Sequence, residues 1–91
     1  MSYTNTAFNV GNSLQLLVQP TAASVTDPTP VVIMNNDPTN TVFIGGPNVT
    51  SANGIPVYKQ TGISFRILNS DPIYAITAGP TVDTRVMIGR Q

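Results

Sequence analysis

Eight Pro and seven Gly are spread through the 91 residues, and no stretch between them keeps the period of an amphipathic helix. Pro inside a helix removes a donor and clashes with the preceding turn, so a chain cut this often cannot build long helices. What survives between the cuts is a series of short apolar runs, each closed by Gly, Pro, Asn or Asp. That pattern predicts an all-β domain, a compact antiparallel β-sandwich of about six to eight short strands.

The runs can be placed. Ser13 to Gln19 (SLQLLVQ) reads as the first strand of the body, and its Leu–Leu–Val run suggests burial on both faces. A Thr/Pro-rich loop follows, with room for a short edge strand around Ala23 to Thr26. Val31 to Asn35 is a strong strand, ended by the turn sequence NNDPTN, and Thr41 to Ile44 stops at Gly45–Gly46–Pro47. Asn48 to Thr50 reads as another brief strand, and Asn53–Gly54 as a hairpin turn leading into Ile55 to Lys59. Ile63 to Leu68 alternates, with Ile63, Phe65 and Ile67 on one face and Ser64 and Arg66 on the other. Ile73 to Thr77 carries Tyr74 and Ile76 on one face. Thr84 to Ile88 closes the domain, with Val86 and Ile88 inward and Arg85 and Met87 outward. The expected core is Ile63, Phe65, Ile67, Ile76, Val86 and Ile88, with Val32 and several of Leu14, Leu16, Leu17 and Val18.

Residues 1–12 (MSYTNTAFNVGN) read differently. They are mostly polar, and the expected organisation is an extended N-terminal arm over 1–12 and a β-sandwich domain over 13–91. Tyr3, Phe8 and Val10 are the arm's large apolar groups after Met1, which makes them candidate partner-binding residues that dock on a neighbouring chain.

Charge bounds the function. Charged residues are 9% of the chain, against about 25% in a typical soluble domain, and the net charge is zero. Such a chain either makes its surface polar with Ser, Thr and Asn, or covers it with partner subunits. The cations are Lys59, Arg66, Arg85 and Arg90; four scattered cations balanced by four Asp make no phosphate-tracking stripe, so no nucleic-acid partner is expected. The longest apolar run, Val31 to Met34, is too short for a bilayer, and the N-terminal residues show no signal-peptide pattern, so synthesis in a cytoplasm and no membrane partner are expected.

The chain has no His, Cys or Glu, which removes the usual general bases, the nucleophilic triads and the preferred zinc ligands. It reads as a non-enzyme with no cofactor and no metal. Asp27, Asp37 and Asp71 each precede Pro and are expected to bond their own turn backbones, while Asp83 has no evident partner. Tyr74 is expected to cover the core; Tyr58, beside Lys59, fits either core or a ligand platform. Small size without disulfide or metal staples points to a homo-oligomer.

One resemblance adds to this. Ile44–Gly45–Gly46, then Asn48–Val49–Thr50 with Asn53–Gly54, then Tyr74–Ala75–Ile76 and the closing Thr84–Arg85–Val86 resemble small β-sandwich virion proteins of tailed bacteriophages. The resemblance covers roughly the C-terminal half. It implies a capsid decoration or cement protein on the virion surface, often trimeric, with the major capsid protein and its own copies as partners. The alternative it leaves is a receptor- or glycan-binding module of a head or tail fibre.

Overall fold

The structure, a computed structural model, describes the backbone of residues 2–18, 29–67 and 72–90, and the side chains of 5–18, 30–67 and 72–89. Eight strands follow one another: β1 (Ser2–Val10), β2 (Gln15–Val18), β3 (Thr29–Asn35), β4 (Val42–Gly45), β5 (Ile55–Val57), β6 (Gly62–Ile67), β7 (Ile73–Ile76) and β8 (Val82–Arg90). They form two antiparallel four-stranded sheets, in the orders β1-β8-β3-β6 and β2-β7-β4-β5. The first strand pairs the last, the second the seventh, the third the sixth and the fourth the fifth. This nested pairing is a jelly roll, a long hairpin rolled so that its strands fall alternately into two sheets. The sandwich is the expected fold class.

The core lies between the sheets. From the first sheet come Val10, Val31, Ile33, Val82 and Val86; from the second come Leu17, Val18, Val42, Ile44, Val57 and Ala75. Phe8, Ile63, Phe65, Ile67, Ile73 and Ile88 are partly buried against them. The alternations of β6 and β8 fall as expected, with Ser64, Arg66 and Arg85 exposed on the other side. Val32 and Ile76 differ, and of the four residues from which several core members were expected, Leu17 and Val18 are the buried ones. In β3 it is Val31 and Ile33 that are fully buried, and Val32 faces outward, because Val31 pairs with Ile88 and Phe65 while Val32 pairs with Met87 and Ser64. In β2 a bulge between Leu16 and Val18 turns both Leu17 and Val18 inward and leaves Leu16 outside, while Leu14 stays in the connecting loop, 48% exposed. In β7 the small Ala75 is the inward residue, and Ile76 lies on the outer face with Tyr74.

The division into an arm of 1–12 and a body of 13–91 does not describe this fold. Residues 2–10 pair with β8 along their whole length, from Ser2 opposite Arg90 to Val10 opposite Val82. The alternation that marked Phe8 and Val10 as docking groups directs them into their own domain, where Val82 and Thr84 face them. The carbonyl of Gly11 accepts a bond from Thr77 N–H at 2.8 Å, tying the β1–β2 link to the end of β7. The edge strand expected around Ala23 to Thr26 lies outside the described residues, as do Asp27 and Asp71.

Buried polar groups are satisfied. Asn35, fully buried at the end of β3, donates from Nδ2 to the carbonyls of Asn40 and Val57, both at 2.8 Å, and accepts at Oδ1 from Asp37 N–H at 2.8 Å. One side chain thus ties the first sheet, the loop after it and β5 of the second sheet.

Candidate functional site

The β4–β5 connection explains the motif that carried the sequence resemblance. It is a nine-residue loop over 46–54, not a strand at 48–50 with a tight two-residue turn. Thr50 and Asn53 cap each other: Asn53 Oδ1 accepts Thr50 N–H at 2.7 Å, and Thr50 Oγ1 accepts from the N–H groups of Ala52 and Asn53. Val49, 5% exposed, is folded back against the backbone of Gly45 and Gly54. A Cβ on Gly54 would stand 2.7 Å from Phe43 Cβ and 2.8 Å from Val49 Cγ2, so only glycine fits there. These residues close a loop over the outer side of β4. They present no reactive group.

Asp37 bonds its own turn, accepting from the N–H groups of Thr39 and Asn40 at 2.9 and 2.6 Å. Those two bonds, that of Thr39 first, hold its carboxyl below the usual aspartate range. Asp83, expected to stand alone, is partnered: Arg85 reaches both its oxygens at 2.9 Å, and Asn36 Nδ2 donates to it at 3.1 Å. The Arg85 bond is the main cause of its lowered pKa. Among the described residues, no three His, Cys, Asp or Glu side chains come together as metal ligands.

The three expected partner-binding residues do not form a surface. Val10 is fully buried in its own core, and Phe8 packs against that core. Tyr3 pairs through its backbone with Gly89; its side chain lies outside the described residues. What sequence reasoning missed is the contrast between the two outer faces. On the first sheet, Val32, Met34 and Met87 form a shallow apolar floor. It is framed by polar and charged groups: Asn5, Ser64, Arg66 and the Asp83–Arg85 pair. On the second sheet the strand sequences QLLV, IYAI, VFIG and IPV contain no charged residue. Leu16 lies opposite Tyr74, Ile76 opposite Phe43, and Phe43 opposite Pro56; all five side chains are half-buried. Tyr58, 62% exposed, follows β5. A separate apolar groove runs along the open side between β5 and β6, lined by Ile44, Ile55, Ile63, Phe65 and Ile73, with Ile55 61% exposed.

The fold defines a jelly-roll sandwich whose chemistry is confined to surfaces. No family model and no curated protein matches this sequence. Among solved structures, the chain is similar to a protein from the work described as "Bacillus endospore appendages form a novel family of disulfide-linked pili", with a TM-score of 0.65 and 17% identity. The match covers 96% of this chain and 81% of that one. Identity this low speaks for the shared fold alone. It nevertheless overturns the capsid decoration reading. The fold is shared with a protein from work on bacterial pili, and that similarity supports neither a phage capsid partner nor a fibre module. A sandwich motif carries architecture, and the same architecture serves unrelated roles.

Proposed function

We propose that this chain is a non-enzymatic structural subunit that assembles with copies of itself. The observation that carries the reading is the state of its sheet edges. Among the described residues, two sheets of four strands leave β1, β6, β2 and β5 as edges, where one side of each strand has no neighbouring strand to pair with. Soluble proteins guard such edges with charges, Pro, bulges or very short strands. Here β5 is short and holds Pro56, β6 holds Arg66, and β2 is bulged. The nine-residue β1 has neither charge nor Pro. A long unguarded edge on a chain of zero net charge suits pairing with another copy.

The similarity to a protein described as forming pili supports the same reading. The disulfide linkage named for those pili has no counterpart in these 91 residues, which contain no Cys. The trimer expected from the virion resemblance goes with the capsid reading and is not retained. Sedimentation velocity and negative-stain microscopy over a concentration series test the proposal. Species growing with concentration are the expected result; a single species of 9.6 kDa up to millimolar concentration contradicts it.

A further inference from the structure

The 46–54 loop offers no group that reacts with a ligand, but it holds two groups able to react with each other. Asn53 is the one Asn of the chain that precedes a Gly. At such a pair the Gly backbone nitrogen has no side chain beside it and can reach the Asn side-chain Cγ. A bond forms between Gly54 N and Asn53 Cγ and the Cγ–Nδ2 bond breaks, so Nδ2 leaves as ammonia with the Gly54 amide proton. Water then opens the cyclic imide. Cleavage of the new Cγ–N bond leaves an aspartate; cleavage on the other side leaves isoaspartate, with the main chain running through Cβ and Cγ.

We infer that Asn53–Gly54 is a latent self-modification site, which the closed loop holds unreactive and which converts to aspartate and isoaspartate when the loop opens. Self-assembly plays no part in it. Both reacting groups are tied down. Gly54 N–H donates to the Thr50 carbonyl at 2.9 Å, so the proton that must leave is engaged. Asn53 Oδ1 accepts Thr50 N–H at 2.7 Å, and its Nδ2 donates to the Asn48 carbonyl at 3.4 Å, so the amide is held from both ends. Thr50 Oγ1 fixes the turn between them by accepting from Ala52 N–H at 3.2 Å and Asn53 N–H at 3.3 Å. Gly54 has no room to shift, because Phe43 and Val49 fill the space beside it. Asn53 is exposed, so water is at hand and it is the bonds, not burial, that protect the pair. Conversion then requires local opening, and its rate in the folded chain is the open-loop rate scaled by the fraction of loops open. Ammonia leaves for good, so each conversion is an irreversible mark of an opening.

The test incubates the full chain at mildly alkaline pH, dilute enough to stay unassociated, in buffer and in guanidinium chloride. Peptide mapping by mass spectrometry and isoaspartate assay follow position 53. Conversion in buffer is expected to be at least about tenfold slower than in denaturant, the ratio set by loop opening. Equal rates in the two solutions overturn the inference, and so does a position 53 that stays unconverted in denaturant. Thr50→Ala, at an exposed position, removes the two Oγ1 bonds and leaves both reacting groups in place. With folding checked by circular dichroism, it should speed conversion in buffer about fivefold or more and leave the rate in denaturant unchanged. A folded Thr50→Ala as slow as the parent in buffer would show that the loop bonds are not what holds the pair, and overturns the inference as well. Should Thr50→Ala fail to fold, the comparison of the parent in the two solutions decides.

Discussion

The two sheets contribute alike to the core and differ on their outsides. Each supplies fully buried aliphatic residues to the shared interior, Val31, Ile33 and Val86 from one and Val42, Val57 and Ala75 from the other. Outside, the first sheet carries Arg66 and Arg85 around the apolar Val32, Met34 and Met87, while the second has no charged residue in any strand. Inner faces are set by the need to fold. Outer faces are free to vary, so the one that stays apolar carries information about partners.

The largest expected effect concerns β1. Deleting Ser2 to Val10 removes Val10 and Phe8 from the core and strips β8 of one neighbour. That loss is on the order of the whole stability of a domain this size, about 5–10 kcal/mol, so the truncated chain should be unfolded by circular dichroism. A truncated chain that melts like the parent would restore β1 as a separate arm. Next come the matched inner positions. Ile33→Ala in the first sheet and Ile44→Ala in the second should each cost about 2–5 kcal/mol in a denaturant titration, since both side chains are nearly inaccessible. A much smaller cost at one of them would break the claim that the sheets share the core equally. Asn35→Leu should cost about 2–4 kcal/mol, because the carbonyls of Asn40 and Val57 and the N–H of Asp37 lose their partner together. Gly54→Ala should cost about 1–3 kcal/mol by forcing the loop off Phe43.

The smallest effect is electrostatic and falls outside the second sheet's strands. Asp37 and Asp83 are both held below the usual aspartate value of 3.8, by backbone bonds and by Arg85 respectively. A carboxyl lowered on folding adds stability above its unfolded pKa and loses it as pH falls through the folded one. Melting temperature should therefore be flat near neutrality and fall below about pH 4. Asp37→Asn should shallow that acid fall. An unchanged acid limb in the variant would show that the turn bonds to Thr39 and Asn40 do not matter in solution.

Where strands alternate, the fold was legible from the chain: Ile63, Phe65, Val86 and Ile88 turn inward and Ser64, Arg66 and Arg85 outward as read. Where they do not, periodicity has nothing to report. Val31–Val32–Ile33–Met34 offers no polar residue to mark a face, and only pairing with β6 and β8 selects Val31 and Ile33. The bulge in β2 and the preference for small Ala75 over Tyr74 and Ile76 as the inward residue are packing decisions made across the sandwich. The candidate surface was hidden for the same reason. The Leu–Leu–Val run of β2 was read as buried on both faces, and the side left outside, with Leu16 on it, appeared only once the sheets were assembled. In β1 the alternation of Phe8 and Val10 was legible, but it was assigned to a neighbouring chain, because nothing in the sequence shows that β8 is the strand it pairs with.

Amide hydrogen exchange with mass spectrometry, above and below the concentration at which the chain associates, compares the uncharged β1 edge with the β6 edge that holds Arg66. The amides of β1 should gain protection on association, while those of β6 should keep their rates. Protection of β6 with β1 unchanged would place the contact on the edge that carries Arg66 and contradict the account.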